Sequence, residues 1–197
     1  MSLLTATTGL AGGISVAGWG IALPDRRVTN HDLARTLDTS DEWIVERSGI
    51  RERRWAGPGE TTGPLSVAAS RRALARARMT AADVDVVVVA TCTPERPMPS
   101  TAALVAAELG TTAGAFDVNA ACAGFVYGLT AASALVQAGV AHKVLLVGAD
   151  TMTSILDMDD RATAVLFGDG AAALVLTGGP VHEPGAPGLV ASDLVGD

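Results

Sequence analysis

The stretch Ala115-Phe116-Asp117-Val118-Asn119-Ala120-Ala121-Cys122-Ala123-Gly124-Phe125 holds the residues of this chain best placed to do chemistry. A strand pattern ends, a tight turn follows, and Cys122 stands where an uncharged helical run begins. A thiolate is the nucleophile that acyl transfer requires, and a free cysteine with a pKa of ~8.5 is mostly protonated at neutral pH. Unpaired N–H groups and the dipole at a helix start favour the anion, and the same groups can stabilise an oxyanion. Ala120, Ala121, Ala123 and Gly124 leave room beside the sulfur for an acyl chain. A free cysteine is also among the most often buried small residues, and position alone leaves that reading open for Cys122. Cys92, between Thr91 and Thr93 at the end of an apolar run, has no base or helix start beside it and reads as core filling.

Five short runs read as the strands that position this segment: Ile14–Gly20, Val84–Ala90, Ala115–Asn119, Val144–Gly148 and Ala171–Leu176. Several are continuously apolar, which predicts strands covered on both faces and a mostly parallel five-stranded sheet. Helices alternate with them. Thr29 with Asp32 and Thr39 with Glu42 have capping-box spacing, Pro64 opens Leu65–Arg78, and Ser100 caps Thr101–Leu109 before Gly110. The long uncharged helix runs from about Ala123 to Ala138. The pattern predicts an α/β layer architecture. Residues 1–13 read as a frayed tail, and the Gly- and Pro-rich residues 178–197 as a linker.

Composition narrows the function classes. With 197 residues, 49% hydrophobic, the chain can bury a core of ordinary size. A net charge of −7 argues against bulk attraction to nucleic acid or anionic membrane. Two cysteines without a Cys-x-x-Cys pattern and three histidines argue against a disulfide framework or structural zinc, and suggest a reducing, cytoplasmic setting. Residues 1–13 lack the features of a signal peptide. Val118 to His142 has no charged residue but is interrupted by Asn119, Ser133, Gln137 and several glycines, so it reads as a buried helix rather than a membrane span.

Four segments in order resemble the β-ketoacyl-acyl-carrier-protein synthase III family. They are Asp38-Thr39-Ser40-Asp41-Glu42-Trp43-Ile44-Val45-Glu46-Arg47 with its continuation to Arg53, Ala120-Ala121-Cys122-Ala123-Gly124-Phe125, Asp159-Asp160-Arg161, and Phe167-Gly168-Asp169-Gly170-Ala171. The resemblance implies a thiolase-like fold and Cys122 as a nucleophile that takes an acyl group from acyl-CoA. The acceptor in the synthases is malonyl-acyl-carrier protein, with decarboxylation supplying the carbanion, and the relevant settings are fatty-acid and polyketide biosynthesis. It further implies that Trp43 and Arg161 sandwich the CoA adenine, that Arg47 and Thr39 lie beside the nucleotide, and that Met98 crosses a dimer interface into the partner's acyl pocket. No cofactor or metal is implied, acyl-CoA being a substrate. Arg51, Arg53 and Arg54 read as a solvated face, and Asp169 as a tight turn supporting the site.

Members of that family are longer chains of two similar halves, and the His and Asn that complete condensation come from the second half. His31, His142 and His182 match no family position for a base. The resemblance covers Ile14 to Leu176, so the expectation is an N-terminal half, accompanied by a second chain or belonging to a longer protein. An all-round apolar helix without its counterpart should leave an exposed apolar patch. The alternative functions are acylation of an alcohol or amine acceptor, or a non-catalytic subunit that structures a partner ketosynthase.

Overall fold

The computed structural model describes residues 13–179 together with 188, 189 and 194. The expected tail over residues 1–12 and most of the expected linker lie outside the described residues. Elements follow in the order β1 (Gly13–Ala22), β2 (Arg26–Thr29), α1 (Asn30–Leu33), α2 (Asp41–Ser48), β3 (Glu52–Trp55), α3 (Thr62–Ala77), β4 (Val86–Ala90), α4 (Thr101–Leu109), β5 (Gly114–Val118), α5 (Gly124–Gln137), β6 (Lys143–Thr151), α6 (Arg161–Ala164) and β7 (Asp169–Gly179).

The sheet has five strands in the order β1-β7-β6-β4-β5. Its pairing is mixed: β4 runs parallel to β5 and β6, whereas β7 runs antiparallel to β6 and β1. Because β7 alone runs against the other four strands, the sheet is mostly parallel in strand direction, as expected, and mixed only in the two pairings that β7 makes. Gly13 pairs with Gly179 and Gly178 with Ile14, so three glycines read as tail or linker are strand residues.

The apolar run of β4 serves two cores at once, since successive strand side chains point to opposite faces. Val87 and Val89 join Leu145, Val147 and Val175 beneath α3 and α4. Val88 joins Val144, Leu146 and Leu176 beneath α5. Each fully buried Val or Leu contributes about 1.5–3 kcal/mol through removal from water. α3 lies directly on β1, because a Cβ at Gly18 would come 2.4 Å from Ala73 O and one at Gly20 2.2 Å from Ala69 O.

Caps set the helix boundaries. Thr29 and Asp32 form the expected capping box on α1. Ser100 caps α4, and Gly110 closes it at φ 74°. For α2 the capping residue is Ser40, whose Oγ accepts from Trp43 N at 3.1 Å, rather than Thr39. Asp41 and Glu42 then occupy the first turn, where carboxylates suit the helix dipole.

Residues β2 and β3 form a separate antiparallel ribbon that the sequence pattern did not suggest. Its Arg53 is buried rather than solvated: it donates to Asn30 Oδ1 at 2.8 Å and Val165 O at 2.7 Å. Burial pulls the Arg53 pKa down, and these acceptors compensate for the lost hydration. Arg54 Nη1 donates to Pro24 O at 3.0 Å, while Arg51 is exposed as expected. A third, smaller core of Val28, Leu33, Leu37, Ile44, Ala164 and Val165 joins the α1–α2 region to α6.

Candidate active site

Cys122 lies beyond the C-terminal end of β5, and its approach is fixed residue by residue. Asp117 on β5 accepts from Thr101 N and Ala102 N, both at 2.7 Å, which locks the strand end to the start of α4. Ala121 then adopts φ 44°, a left-handed conformation that costs a non-glycine residue about 1–2 kcal/mol. Such strain persists where the surroundings over-determine it, and it concentrates at functional sites. Cys122 follows in a single 3-10 turn, Ala121–Ala123, that leads into α5. The thiol is exposed. No side chain caps the first turn of α5, so its N–H groups are not claimed by a capping oxygen.

The sulfur lines a cavity of about 560 Å³ whose walls include Ala90, Gly124, Phe125, Gly148, Ala149, Met152, Phe167 and Ala172. Small and apolar walls suit an acyl chain. Cys92, read from sequence as core filling, lines the same cavity, as does Asp150. The place of Cys92 at the carboxyl end of β4, the edge where α/β folds bind ligands, pointed to a site; the neighbour that the sequence did not show is Asp150, brought beside it by the C-terminal end of β6. Asp169 is the first residue of β7 rather than part of a turn. Its carboxylate accepts from Ala56 N, Thr153 N and Thr153 Oγ1 at 2.6–2.9 Å and so ties the β3 end to the cavity rim.

A second cluster assembles around Trp43. Arg47 lies 4.5 Å and Arg161 4.8 Å from the indole centroid, although they are far apart in sequence. Arg47 is one turn along α2 from Trp43, which puts both on one helix face. Arg161 arrives from α6, whose N-cap Asp160 accepts from Ala162 N at 2.9 Å, and its Nη1 donates to Asp38 O at 2.8 Å. Thr39, beside this cluster in sequence, has a buried Oγ1 with no hydrogen-bond partner among the described residues. From Arg161 the chain runs through α6 to Phe167 and Gly168 on the cavity wall, so one short segment links the two clusters.

Met98 is 83% exposed and does not line its own chain's cavity. His31 and His142 are exposed and lie outside the residues lining the Cys122 cavity, and His182 lies outside the described residues. Among the described residues no group of three metal-ligating side chains converges, and no helix is long and apolar enough to cross a membrane.

Comparison with known proteins gives one consistent result. Residues 116–196 match the family model of 3-oxoacyl-[acyl-carrier-protein] synthase III. A β-ketoacyl-[acyl-carrier-protein] synthase III of Roseiflexus castenholzii is 56% identical over 171 residues, covering 86% of this chain and 51% of the relative. The solved 3-oxoacyl-(acyl carrier protein) synthase III of Pseudomonas aeruginosa PAO1 superposes with a TM-score of 0.82 at 47% identity, covering 87% of this chain and 53% of that one. The priming β-ketosynthase of the R1128 polyketide biosynthetic pathway superposes with a TM-score of 0.84 at 41% identity, covering 90% and 53%. This chain spans about half the length of the curated relatives it matches. The strained turn into Cys122, the paired strand ends and the agreement in both sequence and fold lead to one assignment: the chain belongs to the β-ketoacyl-[acyl-carrier-protein] synthase III family, whose N-terminal half it covers.

Proposed function

We propose that Cys122 is the acyl-accepting nucleophile of a synthase III reaction. Its thiolate adds to the carbonyl carbon of an acyl-CoA, an S–C bond forms, and CoA departs as a thiolate that takes up the proton Cys122 gave up. In the second step malonyl-acyl-carrier protein loses carbon dioxide. The electron pair of that broken bond forms the new C–C bond to the acyl carbon, and Cys122 leaves as thiolate. No cofactor enters this scheme, because decarboxylation supplies the carbanion. The observation that carries the reading is the exposed Cys122 sulfur on a cavity walled mainly by Ala, Gly and Phe.

The Trp43 cluster supports a CoA nucleotide site. A guanidinium and an indole are good partners for a purine face, and arginine suits a phosphate. A base held between Trp43 and Arg161 requires about two van der Waals spacings, ~7 Å, between their planes. Arg161 rests closer than that on the indole, so it swings outward as the base enters, with Arg47 and Thr39 bordering the nucleotide.

In this reading residues 14–177 are one of two similar halves, and the chain from 178 leads toward the other. The second half supplies the His and Asn that stabilise the developing enolate, and it packs on the exposed side of α5. The completed fold acts as a homodimer in which Met98 reaches the partner's cavity. The test is intact-mass measurement after incubation with acetyl-CoA. The expected result is one acetyl adduct, absent in Cys122→Ala, and no condensation product from this chain alone with malonyl-acyl-carrier protein. A wild-type chain that acquires no adduct overturns the proposal and leaves the non-catalytic reading.

A further inference from the structure

Two thiols share the cavity, and their surroundings differ in kind. Cys122 stands exposed at the mouth of α5. Cys92 sits on the turn after β4, facing Asp150 near the end of β6. Asp150 Oδ1 accepts from Cys92 N at 2.8 Å, from Thr93 Oγ1 at 3.0 Å and from Thr91 Oγ1 at 3.1 Å. The Cys92 Sγ lies 3.2 Å from the same oxygen, with Met152 Sδ 3.9 Å away.

An ionised carboxylate can only accept hydrogen bonds, so the contact requires the proton to stay on the Cys92 sulfur. Removing it would set a thiolate 3.2 Å from a carboxylate oxygen already ringed by donors that anchor it there. We propose that Asp150 is a positioning residue that holds the Cys92 thiol as a hydrogen-bond donor, and so excludes it from acyl transfer in a cavity where Cys122 alone forms the thioester. An acyl group moved onto Cys92 would occupy the cavity wall as a dead end. Burial and the Asp150 contact together push the Cys92 thiol up to about 11, with Cys122 a minor contributor in the same direction. Asp150 and Cys122 are the titratable side chains that bear on it. The backbone N–H of Cys92 acts in the opposite sense and is outweighed.

This inference rests on the reading of Cys122 as the acyl acceptor, but its test can fail separately. The purified chain is treated with iodoacetamide across pH 7 to about 11, and modification at each cysteine is followed by peptide mass spectrometry. The expected result is a Cys92 rate that is negligible near neutrality and rises about tenfold per pH unit toward its ionisation. Asp150→Asn removes the negative charge, moves the Cys92 profile down by at least about one unit and speeds its alkylation near pH 8 about tenfold. Thr91→Val removes one donor to Asp150 but keeps the carboxylate, and leaves Cys92 as unreactive as before. Three results overturn the proposal. They are a wild-type Cys92 that reacts near neutrality as fast as Cys122, an Asp150→Asn chain with an unchanged Cys92 profile, and a Thr91→Val chain that accelerates as Asp150→Asn does. Should Asp150→Asn fail to fold, the wild-type profile and Thr91→Val still decide the matter. An absent acetyl adduct on Cys122 would overturn the proposed function and leave these readings untouched.

Discussion

On the α3 side of the sheet, the backbone of a helix rests on the backbone of a strand; on the α5 side, a helix lies on side chains and leaves its own outer surface bare. The first face buries Leu65, Val67, Ala69, Ala73, Leu74, Ala102, Val105 and Ala106 from α3 and α4 over the sheet. The second buries Ala132 against Val88, Val144 and Leu146, yet Val126 is 49% and Tyr127 38% exposed on the same helix. Beside α5 a further cavity of about 620 Å³ opens over the paired strands β1 and β7, walled by Ile14, Val16, Leu129, Leu174 and Leu176. One face is finished within the described residues, and the other has the exposed apolar character of an association surface. The proposed nucleophile stands at the start of the helix on the unfinished side.

The two faces should respond differently to an added methyl group. The largest effect is expected at Gly20, where a Cβ meets Ala69 O and Ala73 N, backbone atoms that cannot yield without moving α3. Gly20→Ala should lower stability by about 3 kcal/mol, read as a fall in urea midpoint at constant slope. At Gly128 on α5 the added methyl meets the far end of the Leu146 side chain at 2.9 Å and ordinary contacts beyond. There the helix-propensity gain of about 1 kcal/mol offsets the shift of Leu146, so Gly128→Ala should fall within about 1 kcal/mol of zero by the same measurement. The smallest effect belongs to Val126→Ser on the bare surface, within about 0.5 kcal/mol, accompanied by weaker binding of a hydrophobic dye. A large loss for Val126→Ser in this chain would mean that the α5 surface is covered after all.

Local chemistry was the legible part of the sequence. Thr29 with Asp32, and Ser100 with Gly110, sit at fixed offsets from the backbone groups they satisfy, so their caps read directly. Thr39 and Ser40 are neighbours of similar chemistry, and the choice between them depends on which residue the fold leaves extended next to Trp43. The β2–β3 ribbon escaped notice because Arg26-Arg27-Val28-Thr29 and Glu52-Arg53-Arg54-Trp55 lack apolar alternation. Arg53 fills a buried position there through hydrogen bonds to Asn30 and Val165, a substitution for hydrophobic packing that no periodicity shows. At the site, Cys122 was legible from its turn and its motif. Cys92 was not, because its role depends on Asp150 approaching from another strand.

Arg72 and Arg76 of α3 reach over the outermost strand, where they donate to the carbonyls of Ile21 and Trp19, and the Arg76 guanidinium covers the Trp19 ring at 3.6 Å. Main-chain acceptors engaged in this way offer little template to a passing extended peptide. Clumping of this chain at high concentration should therefore be greasy and reversible, through helix surfaces, instead of fibrous growth from that border of the sheet.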